Sequence, residues 1–120
     1  MQFIVRPLEA GDEVSWRTLF DGYIAFYNAC VPQSVIDLTW HRLLTGAGGM
    51  VGLVATGQSG TVAGLANVVF HRSTWSETWY CYLEDLYTDP SVRGQGAGRA
   101  LIEATFALAD ERGASRTYWA

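Results

Sequence analysis

Apolar residues recur at helical spacing through the first third of the chain and switch to the spacing of strands beyond it. Trp16, Leu19, Phe20, Tyr23 and Tyr27 return every three or four positions and gather on one face, so a helix is expected from about Asp12, which can cap it, to Asn28. Ahead of it, Gln2 to Arg6 alternates weakly and meets Pro7, where a missing backbone donor suits the end of a first strand. Pro32 is expected in the first turn of a second helix, carried by Ile36, Trp40, Leu43 and Leu44 and stopped by Gly46. From Met50 the chain turns to valine, glycine and alternating small apolar residues. Strands are expected at Val51 to Thr56 and Thr61 to His71, joined around Gly57-Gln58-Ser59-Gly60. A polar loop, Arg72 to Glu77, leads to the aromatic-rich run Thr78 to Thr88, which suits a central strand and ends at Asp89-Pro90. A glycine-rich loop then opens a helix that closes at Gly113. Its rows Leu101, Thr105, Leu108 and Ile102, Phe106, Ala109 are expected to form one buried face. Ser115 to Trp119 reads as a last strand, giving the order βααβββαβ.

Composition narrows the class. The 120 residues, 49% hydrophobic and 17% charged, fit one globular α/β domain spanning residues 1–120 and rule out a chain that is mainly disordered. The longest apolar stretches, such as Val68-Val69-Phe70, fall far short of the roughly 20 residues that a membrane span needs, and no charged-then-apolar leader opens the chain, so a cytoplasmic protein without membrane contact is expected. All eight basic residues are arginine, which excludes Schiff-base chemistry and the phosphate-loop lysine. A net charge of −4 with scattered arginines argues against nucleic acid as a partner and favours cationic or neutral ones. Cys30 and Cys81 lie in apolar or aromatic stretches and are expected as reduced core thiols. His41 and His71 lack a partner at metal-ligand spacing and are read as structural or surface residues, so no metal is expected.

The most informative segment is Asp89-Pro90-Ser91-Val92-Arg93-Gly94-Gln95-Gly96-Ala97-Gly98-Arg99, set between a strand and an amphipathic helix. Glycines there allow successive N–H groups to converge on an anion at the positive end of the helix, with Arg93 or Arg99 adding charge. A phosphate-bearing ligand fits, although a glycine-rich turn without a ligand has the same composition. The dinucleotide fingerprint fails on spacing, since the glycines fall at 94, 96 and 98, and the nucleotide phosphate loop fails because Gly98 is followed by Arg99-Ala100.

Arg93-Gly94-Gln95-Gly96-Ala97-Gly98 resembles the R/Q-x-x-G-x-G/A signature of the GNAT superfamily of acyl-CoA N-acyltransferases. The opening Ile4-Val5-Arg6-Pro7-Leu8-Glu9-Ala10-Gly11-Asp12 is similar to how those domains begin. Tyr82-Leu83-Glu84-Asp85-Leu86-Tyr87 resembles the branch that holds the spermidine/spermine and related small-amine acetyltransferases. The resemblance implies a mixed, mostly antiparallel sheet flanked by helices, and acetyl-CoA as acyl donor in a wedge between two splayed parallel strands. It places pyrophosphate on the amides from Gly94 through Gln95, Gly96, Ala97 and Gly98 to Arg99. Pantetheine would lie along Leu86, Tyr87 and Thr88, with a backbone N–H near Leu86 polarising the thioester carbonyl as an oxyanion hole does. The superfamily usually continues through a further helix and β-hairpin, so the resemblance also implies a domain truncated before those elements, lacking the helix that carries the usual tyrosine acid. A homodimer is the expected assembly.

Transfer to an amine needs a base, because an alkylammonium with a pKa of about 10.4 is not nucleophilic at neutral pH. Glu84 stands among Tyr80, Tyr82, Leu83 and Leu86, where desolvation would raise its pKa, and it matches the glutamate that serves as base in the polyamine branch. The alternative is that Glu84 and Asp85 recognise a cation without moving a proton. On the acceptor side, Tyr27, Asn28 and Trp75 match aromatic and polar positions that line the amine site of that branch, where ring faces would hold an ammonium; Tyr27 would equally suit a core position. The expectation is acetyl transfer to the primary amine of a small molecule, a polyamine, amino acid or lysine analogue. A peptide acceptor and a non-catalytic acyl-CoA-binding module are the alternatives.

Overall fold

Two helical stripes too apolar for water need one common surface, and the sheet supplies it. The computed structural model describes residues 2–120, which form β1 (Ile4–Pro7), α1 (Glu13–Phe26), α2 (Gln33–Thr45), β2 (Met50–Thr56), β3 (Val62–His71), β4 (Trp79–Thr88), α3 (Ala97–Glu111) and β5 (Ala114–Tyr118). The strands lie in the order β1-β2-β3-β4-β5. Pairing is antiparallel from β1 to β4 and parallel between β4 and β5, which α3 connects. The order and the mixed sheet are those expected from the sequence.

Both sheet faces are covered, which explains the near-continuous burial along β2 and β3. On one face, Trp16, Leu19 and Phe20 of α1 and Ile36, Trp40 and Leu43 of α2 pack over Val54 and Leu65. On the other, Leu101 and Ala109 of α3 pack over Leu53, Ala55, Ala66, Val68, Phe70, Cys81 and Leu83. Among the described residues no helix is long and apolar enough to cross a membrane.

The structure corrects several local expectations. Asp12 does not cap α1 through its side chain. Its carboxylate instead accepts two hydrogen bonds from Arg6, at 2.8 and 2.9 Å, and one from the Glu9 N–H at 2.8 Å, so it ties β1 to the start of α1. α1 ends at Phe26, and Tyr27 and Asn28 fall in the turn beyond it. That turn carries Cys30 outward, so Cys30 is an exposed thiol while Cys81 is buried. Pro32 sits just ahead of α2. Phe106 is 44% exposed on α3, touching Trp119 edge-on, so the buried face of this helix is the narrower row Leu101, Thr105 and Ala109.

Arg6 holds the Asp12 carboxyl below the ordinary carboxylate range. A depressed pKa contributes stability above the unfolded value and loses it as pH falls. Asp12→Asn is expected to lower stability at neutral pH by about 1–3 kcal/mol, measured by urea unfolding. The gap between variant and parent should close as acid protonates Asp12 in the parent.

Candidate active site

β4 carries one more residue than its partner can match. Asp85 pairs with Asn67 and Leu83 with Val68, so Glu84 stands unpaired in a β-bulge. Side chains of a regular strand alternate faces, and the extra residue resets that alternation. Cys81 and Leu83 before the bulge, and Leu86 after it, belong to the core under α3. Glu84 and Asp85, adjacent in sequence, both border the cavity on the α1–α2 side.

The two carboxylates are held differently. The Trp16 indole N–H, a donor only, reaches Asn67 Oδ1 at 3.2 Å, which fixes the amide orientation and leaves Asn67 Nδ2 to donate to Asp85 Oδ2 at 2.9 Å. Tyr23 completes the surroundings of Asp85: burial and the Asp85 charge both push its phenol pKa up, and its hydroxyl also reaches the Glu84 carbonyl at 3.4 Å. Burial raises the Asp85 pKa, against the lowering effect of Asn67 and Tyr23. Glu84 is open to solvent on one side, yet desolvation and then the neighbouring Asp85 raise its pKa as well. Asp85 is thus an anchored carboxylate, and no side-chain hydrogen bond to the Glu84 carboxylate is found among the described residues.

Three cavities run in series past this pair. The first, about 210 Å³, lies between Phe26 and Tyr27 on one side and Leu86, Tyr87, Thr88, Arg93 and Gly98 on the other. The second, about 270 Å³, is a wedge beyond the last β4–β5 pair, Tyr82 with Tyr118, lined by Leu83, Leu86, Ile102, Trp119 and Ala120. The third, about 390 Å³, enters between α1 and α2 and ends on Glu84 and Asp85. Tyr27 borders all three, and Glu84 the second and third. α1 can approach β4 this closely because Gly22 has no side chain; a Cβ there would lie 2.9 Å from the Tyr87 hydroxyl.

The first cavity leads to the start of α3. Asp89 accepts from the Ser91 N–H at 2.9 Å and its hydroxyl at 2.8 Å, setting the turn after β4. Gly96 caps α3 in the left-handed region at φ 99°, with no atom within 4 Å of where a Cβ would project. The amides of Ala97, Gly98 and Arg99 precede the first intrahelical bond, donated by Ala100 to Gly96 at 3.0 Å. Arg93 lies over the rings of Phe26 and Tyr87, 5.5 and 5.7 Å from their centres, and makes no ion pair among the described residues. These features suit a phosphate-bearing ligand. Two expected contributors are otherwise engaged: the Arg99 guanidinium pairs with Glu103 at 2.9 Å, and the Gln95 amide donates to Val92 at 3.3 Å.

The structure therefore brings Glu84, Asp85, Tyr27, Leu86, Tyr87, Thr88, Arg93 and Gly98 to one connected groove. Asn28, in the left-handed region at φ 52°, and Trp75, 87% exposed in the loop before β4, line none of the three cavities. Sequence reasoning missed Tyr23 and Asn67 as site residues. The signal for Asn67 was a lone amide inside the apolar run Leu65-Ala66-Asn67-Val68-Val69, where burial demands partners.

Comparison with known proteins identifies the family and the fold. Residues 16–120 match the model of the acetyltransferase (GNAT) family. The chain is 30% identical over 119 residues to the D-amino-acid N-acetyltransferase HPA3 of Saccharomyces cerevisiae, covering 98% of this chain and 74% of that protein. Among solved structures, a Trypanosoma brucei acetyltransferase superposes with a TM-score of 0.75 at 24% identity, covering 99% of this chain and 82% of the other. AAC(6')-Iy in complex with a CoA bisubstrate analogue superposes with a TM-score of 0.82 at 17% identity, covering 100% and 80% of the two chains. At these identities the structural likenesses show the fold.

Asn67→Ala strands the buried Trp16 N–H and removes a donor from the ionised form of Asp85. It is expected to cost about 1–3 kcal/mol in urea unfolding and to move the Asp85 pKa further up, read by NMR titration of the carboxyl carbon.

Proposed function

The chain belongs to the GNAT acetyltransferase family and is an acetyl-CoA-dependent N-acetyltransferase, and from that premise we propose that it acetylates the primary amine of a small molecule with Glu84 as base. The observation that carries this reading is the bulge: it turns both carboxylates of β4 toward a cavity that meets the wedge at Tyr23, Tyr27 and Glu84. Polyamines, amino acids and lysine analogues are the acceptor classes considered, and the yeast relative, named for acting on D-amino acids, supports a small acceptor.

In this reading the donor phosphates rest on the free amides at the start of α3 and on Arg93, and the pantetheine arm runs along Leu86, Tyr87 and Thr88. Acetyl-CoA supplies the activated acyl group, a thioester. The incoming ammonium meets the faces of Tyr23 and Tyr27 and the charge of Asp85, which together favour its approach. Glu84, not committed to a side-chain donor, takes one proton from it and frees the nitrogen lone pair for the thioester carbon. The Leu86 N–H steadies the carbonyl oxygen as it gains charge. The acyl carbon then exchanges its bond to sulfur for one to nitrogen, the nitrogen gives up its second proton, and CoA leaves with that proton as the thiol. Association as a homodimer is part of the same proposal; light scattering giving the mass of a single chain would remove that part.

Glu84 works as a base only when ionised, and its raised pKa sets where ionisation is lost. kcat/KM should therefore fall with decreasing pH, along a limb lying above the ordinary glutamate value of 4.5. Glu84→Gln is expected to lower kcat/KM by about tenfold or more and to abolish that limb, with acetyl-CoA affinity unchanged. Unchanged turnover would assign the carboxylates to recognition alone.

Gly96→Glu places a bulky anion at a left-handed position beside the proposed phosphate site. Calorimetry is expected to show saturable acetyl-CoA binding by the parent and none by the variant, whose folding circular dichroism would check.

A further inference from the structure

We propose that the acceptor is a simple primary amine with a single positive charge, no carboxylate and an apolar alkyl or aryl body, and not a polyamine. This deepens the N-acetyltransferase reading above and rests on it. The cavity ending on Glu84 and Asp85 has charge at one end only. Away from the carboxylates its walls are mostly apolar, with Phe20, Ile24, Val31, Val35 and Met50 beside the one hydroxyl of Thr39, and neither an arginine nor a further acid lines it. Its volume, about 390 Å³, lies within the usual range of small-ligand sites, about 300–1,000 Å³.

The asymmetry discriminates between amines. An ammonium at the β4 end finds two carboxylates and the rings of Tyr23 and Tyr27, while the rest of the molecule lies on hydrocarbon. Each methylene moved from water onto such a wall strengthens binding by about fourfold. A polyamine in the same position places its next ammonium, a few bonds away, against Ile24, Val31 and Val35 with no counter-charge, where a methylene is favoured over a cation that must give up part of its hydration. The cavity remains accessible because Val35, on the first turn of α2, is 45% exposed at its rim.

The test compares kcat/KM of the whole chain, with acetyl-CoA as donor, for propylamine, hexylamine, 2-phenylethylamine and spermidine, following thiol release. Hexylamine and 2-phenylethylamine are expected to exceed both propylamine and spermidine by about tenfold or more. Equal or better turnover of spermidine or propylamine overturns the apolar-acceptor proposal and leaves the N-acetyltransferase reading standing. Failure to acetylate any amine, by a chain that binds acetyl-CoA, overturns both.

Val35→Asp supplies an anion at the apolar end of the cavity and, in the first turn of α2, suits the helix dipole, so the variant is expected to fold. The hexylamine-to-spermidine ratio of kcat/KM should fall by about tenfold, with the calorimetric Kd for acetyl-CoA unchanged. An unchanged ratio with unchanged acetyl-CoA binding also overturns the proposal.

Discussion

One unpaired residue in β4 governs the site. Were the strand regular, Glu84 and Asp85 would face opposite sides, and only one carboxylate could reach the cavity between α1 and α2. The bulge removes that constraint, and the hydrogen bond from Asn67 to Asp85 holds the register immediately beyond it. Asn67 is itself held by Trp16, a fully buried residue of α1. The packing of a helix on the sheet and the placement of an acid are therefore one arrangement, and the apolar core beneath α1 supports the chemistry above it.

Burial has opposite local uses along this network. It strengthens the Trp16–Asn67 contact by excluding competing water, and it raises the pKa of both acids by disfavouring their charge. Asn67 and Tyr23 offset part of that penalty at Asp85, where protein donors stand in place of water. Glu84 lacks such donors, so its proton affinity is free to respond to a ligand. Two identical functional groups thus acquire different roles from their neighbours alone.

Much of the fold was legible because it rests on local periodicity. Trp16, Leu19 and Phe20 mark the inner face of α1, Ile36, Trp40 and Leu43 that of α2, and the switch to alternating small residues at Met50 marks the sheet. The errors lie where the chain stops obeying its own period. Tyr27 continues the α1 stripe in sequence but falls beyond the helix end, where its ring is free to border the groove, and Cys30 is carried outward by the same turn. Phe106 fits a buried row by spacing, yet α3 presses a narrower face to the sheet than two full rows need. Glu84 was legible as a carboxylate in apolar company. Asn67 and Tyr23, the residues that hold the neighbouring Asp85, were not read as part of the site, because they lie far away in the sequence. The bulge had left a trace: buried Cys81 and Leu83 are two apart, and the next residue on that core face, Leu86, is three further on.

The groove has two mouths. One lies between the end of β4 and the start of α3, the other between α1 and α2; both reach Tyr27, and the wedge between them joins the first at Leu86 and the second at Tyr23 and Glu84. In the proposed reading the donor uses one entrance and the acceptor the other, so the two can be resident together. None of the four residues at the meeting point is a thiol or an aliphatic alcohol able to carry an acyl group between separate visits. In the proposed N-acetyltransferase reading, this arrangement favours a ternary complex with direct passage from donor to acceptor over a covalent way-station on the protein.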